Sequence, residues 1–319
     1  QGRDKLEITG SFPSNFKTVQ NQASWLNDVA IPGGSVLLGA ETLRQAVQPA
    51  SEFTTSKRST NAVFGSVREA WHEQVVEASL RYDRDGQFGG RTTGLASYGI
   101  AIGEWGSLSA VYGKGFRAPT FYDLYGPSSD FYVPNPALQP ERSTSAEARW
   151  RLPALAGWNT SITCFDNRIE DLIQYVFPTV ENLRNATIRG TQVELRGVLG
   201  EFHVGASGTW QDPVDDQTGK QLQGRAKSFG SLDISRSWGD WRVSAWVTGT
   251  GARYDSNTEA PSTRLPGYAV AGANVRYRLD REWSLDLTGN NLGNTKYSLA
   301  TGYTQPGSTV LLTIRYDAP

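Results

Sequence analysis

Along most of the chain, apolar and polar residues alternate with a period of two. In the last such segment Val310, Leu312, Ile314 and Tyr316 fall on one face, while Thr309, Thr313 and Arg315 fall on the other. Trp283, Leu285 and Leu287 alternate with Ser284, Asp286 and Thr288, and Trp241, Val243, Ala245 and Val247 alternate with Arg242, Ser244 and Thr248. Successive side chains of a strand point to opposite faces, so each segment reads as a strand with one apolar face. About sixteen such segments run from 4–11 to 308–316, each with a core of roughly ten residues, the length a tilted strand needs to cross a bilayer. No 3.6-residue period interrupts them.

The connections alternate in length. Short turns are expected at 31–34, 72–74, 103–106, 199–201, 238–240 and 280–282, and longer polar loops at 46–57, 84–92, 117–141, 177–185, 211–223, 252–266 and 292–307. Short turns at one end and long loops at the other are the pattern of outer-membrane barrels, whose long loops face outward. A soluble sandwich or propeller also groups its turns. Here, however, Arg, Asp, Ser and Thr line whole strands and leave no second apolar face to pack. Trp71, Trp105, Trp158, Trp238, Trp241 and Trp283 lie near strand ends, as interfacial girdles require. The expected fold class is all-β, an antiparallel transmembrane β-barrel with about sixteen strands in this chain.

The segment "GFRAPTFYDLYGP" (115–127) departs from the alternation. Pro119 ends the strand, and Phe121, Tyr122 and Tyr125 follow in what reads as a loop without helix, continued by Pro134, Pro136 and Pro140. So aromatic a loop is ordered and functional rather than disordered. In this reading Phe116 anchors the strand at the interface and the three rings pack the loop over the rim.

Composition narrows the chemistry. The 31 basic and 32 acidic residues nearly cancel, which gives no reason to expect a nucleic-acid partner. Cys164 is the single cysteine, and His72 and His203 are the only histidines, so cysteine- or histidine-based metal sites are not expected. No apolar run is long enough for a transmembrane helix. No leader pattern and no methionine are present, so the sequence reads as a mature or trimmed chain.

Several motifs carry candidate chemistry. "GKGFRA" (113–118) fits a loose dinucleotide fingerprint but lacks the following helix. Asp212, Asp215 and Asp216 are either cation ligands or, as we favour, a solvated acidic loop. No nucleophile, base and orienter fall into order, so an enzyme is not expected. Arg225 stands where a long loop enters a strand, placed to meet a polar ligand or simply solvated. Tyr254 and Tyr303 lie in outward loops, where a ring can stack on a flat apolar ligand while its hydroxyl stays wet, or serve loop packing. Phe131 and Tyr132 are further candidate contacts.

"YGKGFRAPTFYDLYGP" with "NPALQPERSTSAEARW" (135–150) resembles the signature of TonB-dependent outer-membrane receptors, and "NNLGNTKY" (290–297) is similar to their penultimate-strand motif. "YDRDGQFGGRTTG" (82–94), "IEDLIQY" (169–175) and "GYTQPGS" (302–308) resemble the cobalamin (vitamin B12) receptors among them. The resemblance implies binding of a scarce, bulky nutrient, cobalamin above all, by extracellular loops, and import energised by TonB through an N-terminal box. It places Tyr303 at a ligand-contact position, with Arg225 and Tyr254 in segments that line the mouth. It also implies a monomer surrounded by outer-membrane lipid and lipopolysaccharide. Family barrels have about 22 strands around a plugged lumen. Residues 1–319 are therefore expected to be the C-terminal part of such a barrel, without plug, box or first strands, and no metal site or cofactor is carried over. The alternatives are a heme or siderophore receptor, a passive porin-like channel if the segment closes alone, and a soluble β-rich adhesin or carbohydrate-binding module.

Overall fold

The computed structural model describes residues 2–8, 14–48, 53–155 and 157–317, with side chains from residue 16 onward apart from 183 and 184. The long strands are β1 (Gly2–Ile8), β2 (Ser14–Ile31), β3 (Gly34–Gln48), β4 (Lys57–Trp71), β5 (Gln74–Asp85), β6 (Gly89–Ala101), β7 (Ser107–Arg117) and β8 (Glu141–Arg151). They continue with β9 (Asn159–Val176), β10 (Thr179–Leu199), β11 (Phe202–Asp215), β12 (Ser228–Trp238) and β13 (Trp241–Thr250). Two short strands, β14 (Arg253–Tyr254) and β15 (Arg264–Leu265), precede β16 (Tyr268–Arg278) and β17 (Trp283–Asn290). Two more, β18 (Ser298–Ala300) and β19 (Tyr303–Thr304), precede β20 (Thr309–Tyr316). Sixteen of these form one sheet hydrogen-bonded in chain order, as the periodicity predicts, and β14–β15 and β18–β19 form separate ribbons. No described helix is long and apolar enough to cross a membrane.

Contacts divide the chain into one unit of residues 1–100, 109–146 and 167–186 and another of 101–108, 147–166 and 187–319. In the first, the registers of β2 to β5 put Leu38 across from Gly65, which is itself across from Leu80, and Val63 across from Ala40 and Tyr82. This face is apolar yet exposed. Leu38, Val63 and Leu80 are 50, 59 and 65 % accessible, a state water would penalise and hydrocarbon rewards. The opposite face is polar. Arg81 donates to Asp83 and to Glu41, which also accepts from Gln22, and the Arg81 guanidinium lies 5.2 Å from the Phe64 ring centre. Gly39 is required there, because a Cβ would run into the Phe64 ring.

The second unit repeats the division. Leu232, Val247 and Ala271 are register partners on the apolar face, as are Tyr277 and Leu285. Asp286 pairs with Arg276 on the polar face at 2.7 Å. At the short-turn end the apolar face closes on aromatic pairs, Trp241 with Tyr277 at 4.5 Å and Trp283 with Tyr316 at 4.8 Å.

The buried apolar core of the first unit sits at the long-loop end of the strands. One cluster joins Phe16, Val47, Phe53 and Phe121, and another joins Leu124, Leu138 and Val180.

Three loop expectations need correction. Residues 117–141 contain a helical turn, α1 (Phe121–Tyr125), where no helix was expected. Its cause is a capping box: Thr120 Oγ1 accepts from the Asp123 N–H at 3.0 Å and Asp123 Oδ2 accepts from the Thr120 N–H at 2.9 Å. The loop placed at 84–92 is a tight turn between β5, ending at Asp85, and β6, starting at Gly89. The loop placed at 177–185 is a two-residue turn at Phe177 and Pro178, joined by a cis peptide bond, with β10 already under way at Thr179. Both hairpins run on past the apolar band. There both strand faces meet water, so the hydropathy alternation fades while the backbone pairing continues.

Candidate ligand-binding mouth at the long-loop end

Within the first unit, the chain from Ala118 to Pro140 is tied down at both ends. Arg117 donates through Nε and Nη2 to the two oxygens of Glu141, each at 2.7 Å, a forked pair that clamps the loop's entry to its exit. Glu141 Oε1 also accepts from the Ile173 N–H at 2.7 Å, which fixes the clamp to β9. Pro119 is fully buried, and its carbonyl accepts from Arg58 at 2.9 Å while the Arg58 guanidinium lies 5.2 Å from the Phe121 ring centre. The loop is then sewn to the β9–β10 hairpin. Val133 N–H donates to Pro178, Asn135 Nδ2 to the Val180 carbonyl, and Asn182 Nδ2 to Gln139 and Asp171.

Aromatic rings run through this assembly in an unbroken series. Phe53 meets Phe16 at 5.7 Å, Phe16 meets Tyr122 at 5.3 Å, Tyr122 meets Tyr132 at 4.5 Å, Tyr132 meets Tyr175 at 6.3 Å and Tyr175 meets Phe177 at 6.4 Å. The rings from Phe53 to Tyr132 are packed into the loop layer, and the series opens to solvent at its Phe177 end. The Tyr132 hydroxyl donates to the Tyr122 carbonyl at 3.1 Å, whereas Phe131 and Phe177 are 63 and 67 % exposed. Burial pushes the Tyr132 phenol well above its ordinary range, helped by nearby Asp123, and burial alone raises Tyr122. Of the two sequence candidates, Phe131 thus offers an open ring. Tyr132 supports its neighbours, with Tyr175 stacked on it and donating to the Phe131 carbonyl.

In the second unit three long loops interlock and bring the segments of Arg225, Tyr254 and Tyr303 into one network. Gly224 N–H donates to the Tyr254 carbonyl at 2.8 Å, Lys220 Nζ to Thr258 at 3.0 Å and Gln221 N–H to Glu259 at 2.5 Å. Buried Arg253 reaches the carbonyls of Ser298 and Leu299 at 3.0 and 3.1 Å, and Asp255 accepts from the Thr301 N–H at 2.7 Å. Tyr303 stands clear at 72 % exposure, Arg225 is exposed, and Tyr254 is half-buried. Such a surface offers one open phenol ring for stacking and one cation for a polar substituent.

The acidic group of 211–223 is dispersed into separate structural roles. Asp212 pairs with Lys227 at 2.8 Å, Asp215 accepts from the Gln217 and Thr218 N–H groups, and Asp216 accepts from Thr187. No group of three metal-ligating side chains occurs among the described residues. Sequence reasoning missed Glu141, Asn135 and Asn182, which tie down the loop of the first unit, and Arg253 and Asp255, which join the loops of the second. Only Thr120 and Asp123 carried a local signal.

Comparison with known proteins agrees with this architecture. The family model described as "TonB dependent receptor-like, beta-barrel" matches residues 6–292. The chain is 30 % identical over 294 residues to the vitamin B12 transporter BtuB of Vibrio vulnificus, covering 88 % of this chain and 46 % of that protein. It is 26 % identical over 279 residues to the BtuB of Photobacterium profundum, covering 84 and 45 %. The chain therefore spans about half the length of the curated relatives it matches. Among solved structures, the ferric enterobactin receptor PfeA of Pseudomonas aeruginosa superposes with a TM-score of 0.80 at 16 % identity, over 95 % of this chain and 54 % of that one. The copper transporter OprC gives 0.78 at 15 % identity, over 95 and 56 %.

Proposed function

Since this chain belongs to the TonB-dependent receptor β-barrel family of the outer membrane, we propose that it is the C-terminal part of a receptor that captures a scarce, bulky nutrient and imports it at TonB's expense. In this reading a plug, a TonB box and the first strands precede residues 1–319 in the full-length protein. TonB acts through that box, and the barrel works as a monomer among outer-membrane lipid and lipopolysaccharide, with no nucleic-acid partner. No bond of the ligand is made or broken.

The ligand we propose is cobalamin. The observation that carries this is the 30 % identity to a protein named as a vitamin B12 transporter, sustained over 88 % of the chain. The siderophore and copper proteins resemble it at 15–16 % identity and speak for the fold alone. The proposed ligand-facing residues are Phe131 and Tyr132 in the first unit and Tyr303, Tyr254 and Arg225 in the second, each group taken by itself. Tyr303 and Phe131 supply open rings, Arg225 a cation, and Tyr254 and Tyr132 the footing beneath them.

Titration of the purified full-length receptor with cyanocobalamin, heme and a ferric siderophore tests this reading. Saturable cobalamin binding near nanomolar concentration, with neither of the others binding, is expected. Binding of heme or the siderophore instead overturns the substrate, and ion conductance by residues 1–319 alone in liposomes supports the porin-like alternative.

A further inference from the structure

On the apolar face of β10 to β13 and β16, towards the long-loop end, the sheet carries a groove of about 730 Å³. Its floor is made of glycine. Gly208 lies opposite Gly230 and Gly230 opposite Gly249, and Ala269 on β16 continues the row. Four neighbouring strands thus present nothing larger than a methyl group at one level. Val193 and Leu195 border the groove on one side. At its long-loop end the Trp210 indole leans over Gly208, where a Cβ would lie 2.8 Å from the ring, and Trp210 remains 58 % exposed.

The glycines are not equivalent. A Cβ on Gly230 would run into the Ser207 carbonyl, so strand packing demands glycine there. A Cβ on Gly249 would meet only the Tyr268 carbonyl oxygen at 3.6 Å and the Ala269 Cβ at 3.9 Å, ordinary contacts in an unstrained backbone. Packing within the chain therefore does not explain why position 249 is left empty.

The level of the groove identifies its surroundings. Trp210 and Phe202 share the apolar face of β11, eight positions apart. At about 3.4 Å per residue and a tilt near 40° they are separated by roughly 20 Å of barrel height, within an apolar band of about 25 Å bounded by aromatic girdles. Beyond Trp210 the chain turns polar at once, with the exposed Asp212–Lys227 pair. Trp210 therefore marks the interface on the long-loop side, and the groove lies just inside it, in the outer leaflet. Apolar groups line it almost throughout, and it is continuous with the lipid-facing surface.

We propose that this groove seats one acyl chain of a membrane lipid as a resident ligand. Unfilled, its walls would lose dispersion contacts that a flexible hydrocarbon chain restores. The indole, amphipathic and at headgroup level, would stand beside the chain where it enters. The inference rests on the membrane placement and is independent of which nutrient the mouth binds.

The test is photo-crosslinking in the full-length receptor, reconstituted in vesicles of saturated phosphatidylcholine carrying a trace of the same lipid with a diazirine in one acyl chain. Peptide mapping is expected to concentrate label on segments containing Leu195 and Trp210. Gly249→Phe, which fills the groove, should lower that labelling about tenfold, as expected when several methylene groups lose burial. Ala245→Phe, exposed on the same strand face outside the groove, should leave it unchanged. Heat-modifiable electrophoretic migration reports folding, and Gly249→Val replaces Gly249→Phe if the latter fails to fold. Labelling spread evenly over the belt, or unchanged by the groove-filling variant, overturns the proposal. So does a sedimenting dimer that Gly249→Phe disperses, which would give the groove to a second copy of the chain.

Discussion

Glu141 accepts two bonds from Arg117 and one from the Ile173 N–H, all at 2.7 Å, and is itself 9 % exposed. Glu141→Ala deletes all three. The two bonds from Arg117 are charge-assisted, but its guanidinium is 54 % exposed, so each is worth about 1 kcal/mol. The Ile173 N–H left without an acceptor adds about 1–3 kcal/mol. The sum is about 3–5 kcal/mol. Arg117→Ala removes the same pair but spares Ile173, so its cost is about 2 kcal/mol. Both losses fall on opening of the loop from Ala118 to Pro140, since the strand ladder does not depend on the clamp. Amide hydrogen exchange on the full-length receptor reads local opening directly. At about 1.4 kcal/mol per tenfold, Arg117→Ala should speed exchange at Val133 and Asn135 roughly thirtyfold, and Glu141→Ala by more than a hundredfold. The double variant should match Glu141→Ala alone, because the pair can be lost only once. Equal effects from the two single variants would refute the role assigned to Ile173. A fall in barrel melting equal to the loop effect would refute the separation of loop from ladder.

Leu124→Ala, at a fully buried position, should cost about 2–5 kcal/mol of loop-layer stability, seen as faster protease nicking near Gly126 with unchanged heat-modifiable migration. The raised Tyr132 phenol makes the neutral form the one the fold favours. Its contribution is whole below about pH 10, the ordinary tyrosine value, and declines as pH rises beyond it, when only the unfolded chain readily gives up the proton. Alkaline denaturation followed by near-ultraviolet dichroism should therefore be shallower in Tyr132→Phe than in the parent. Tyr303→Ala should weaken cobalamin binding several-fold, the worth of one aromatic contact, with no change in loop exchange. An unchanged affinity by calorimetry removes Tyr303 from the binding surface.

The sheet was readable from sequence because in a membrane strand the two faces meet opposite solvents, so Leu232 and Asp233 announce their sides by composition alone. The mouth was not. Its hairpins stand in water on both faces, which erased the alternation around Asp83 to Gly89 and hid the turn at Phe177. The loop's clamp joins positions 24 residues apart in sequence, Arg117 and Glu141, and its sewing joins Asn135 to Val180, 45 apart. Pairings that distant leave no periodic trace. The candidates fared according to their neighbours. Tyr303 and Phe131 are exposed, while Tyr132, chosen for the same chemistry, gives its hydroxyl and one ring face to the loop.

The clusters around Phe121 and Leu124 also bear on extraction. Most of this protein's apolar surface is stabilised by hydrocarbon and must be re-solvated when the bilayer is stripped away. The layer at the long-loop end draws its cohesion from a water-facing core of its own, indifferent to what replaces the lipid. A detergent that disturbs the belt should thus leave the entrance assembled, and affinities measured in micelles should hold for the cell surface. The groove beside Trp210 has no such insulation, and a harsh detergent would empty it while the entrance still bound its ligand.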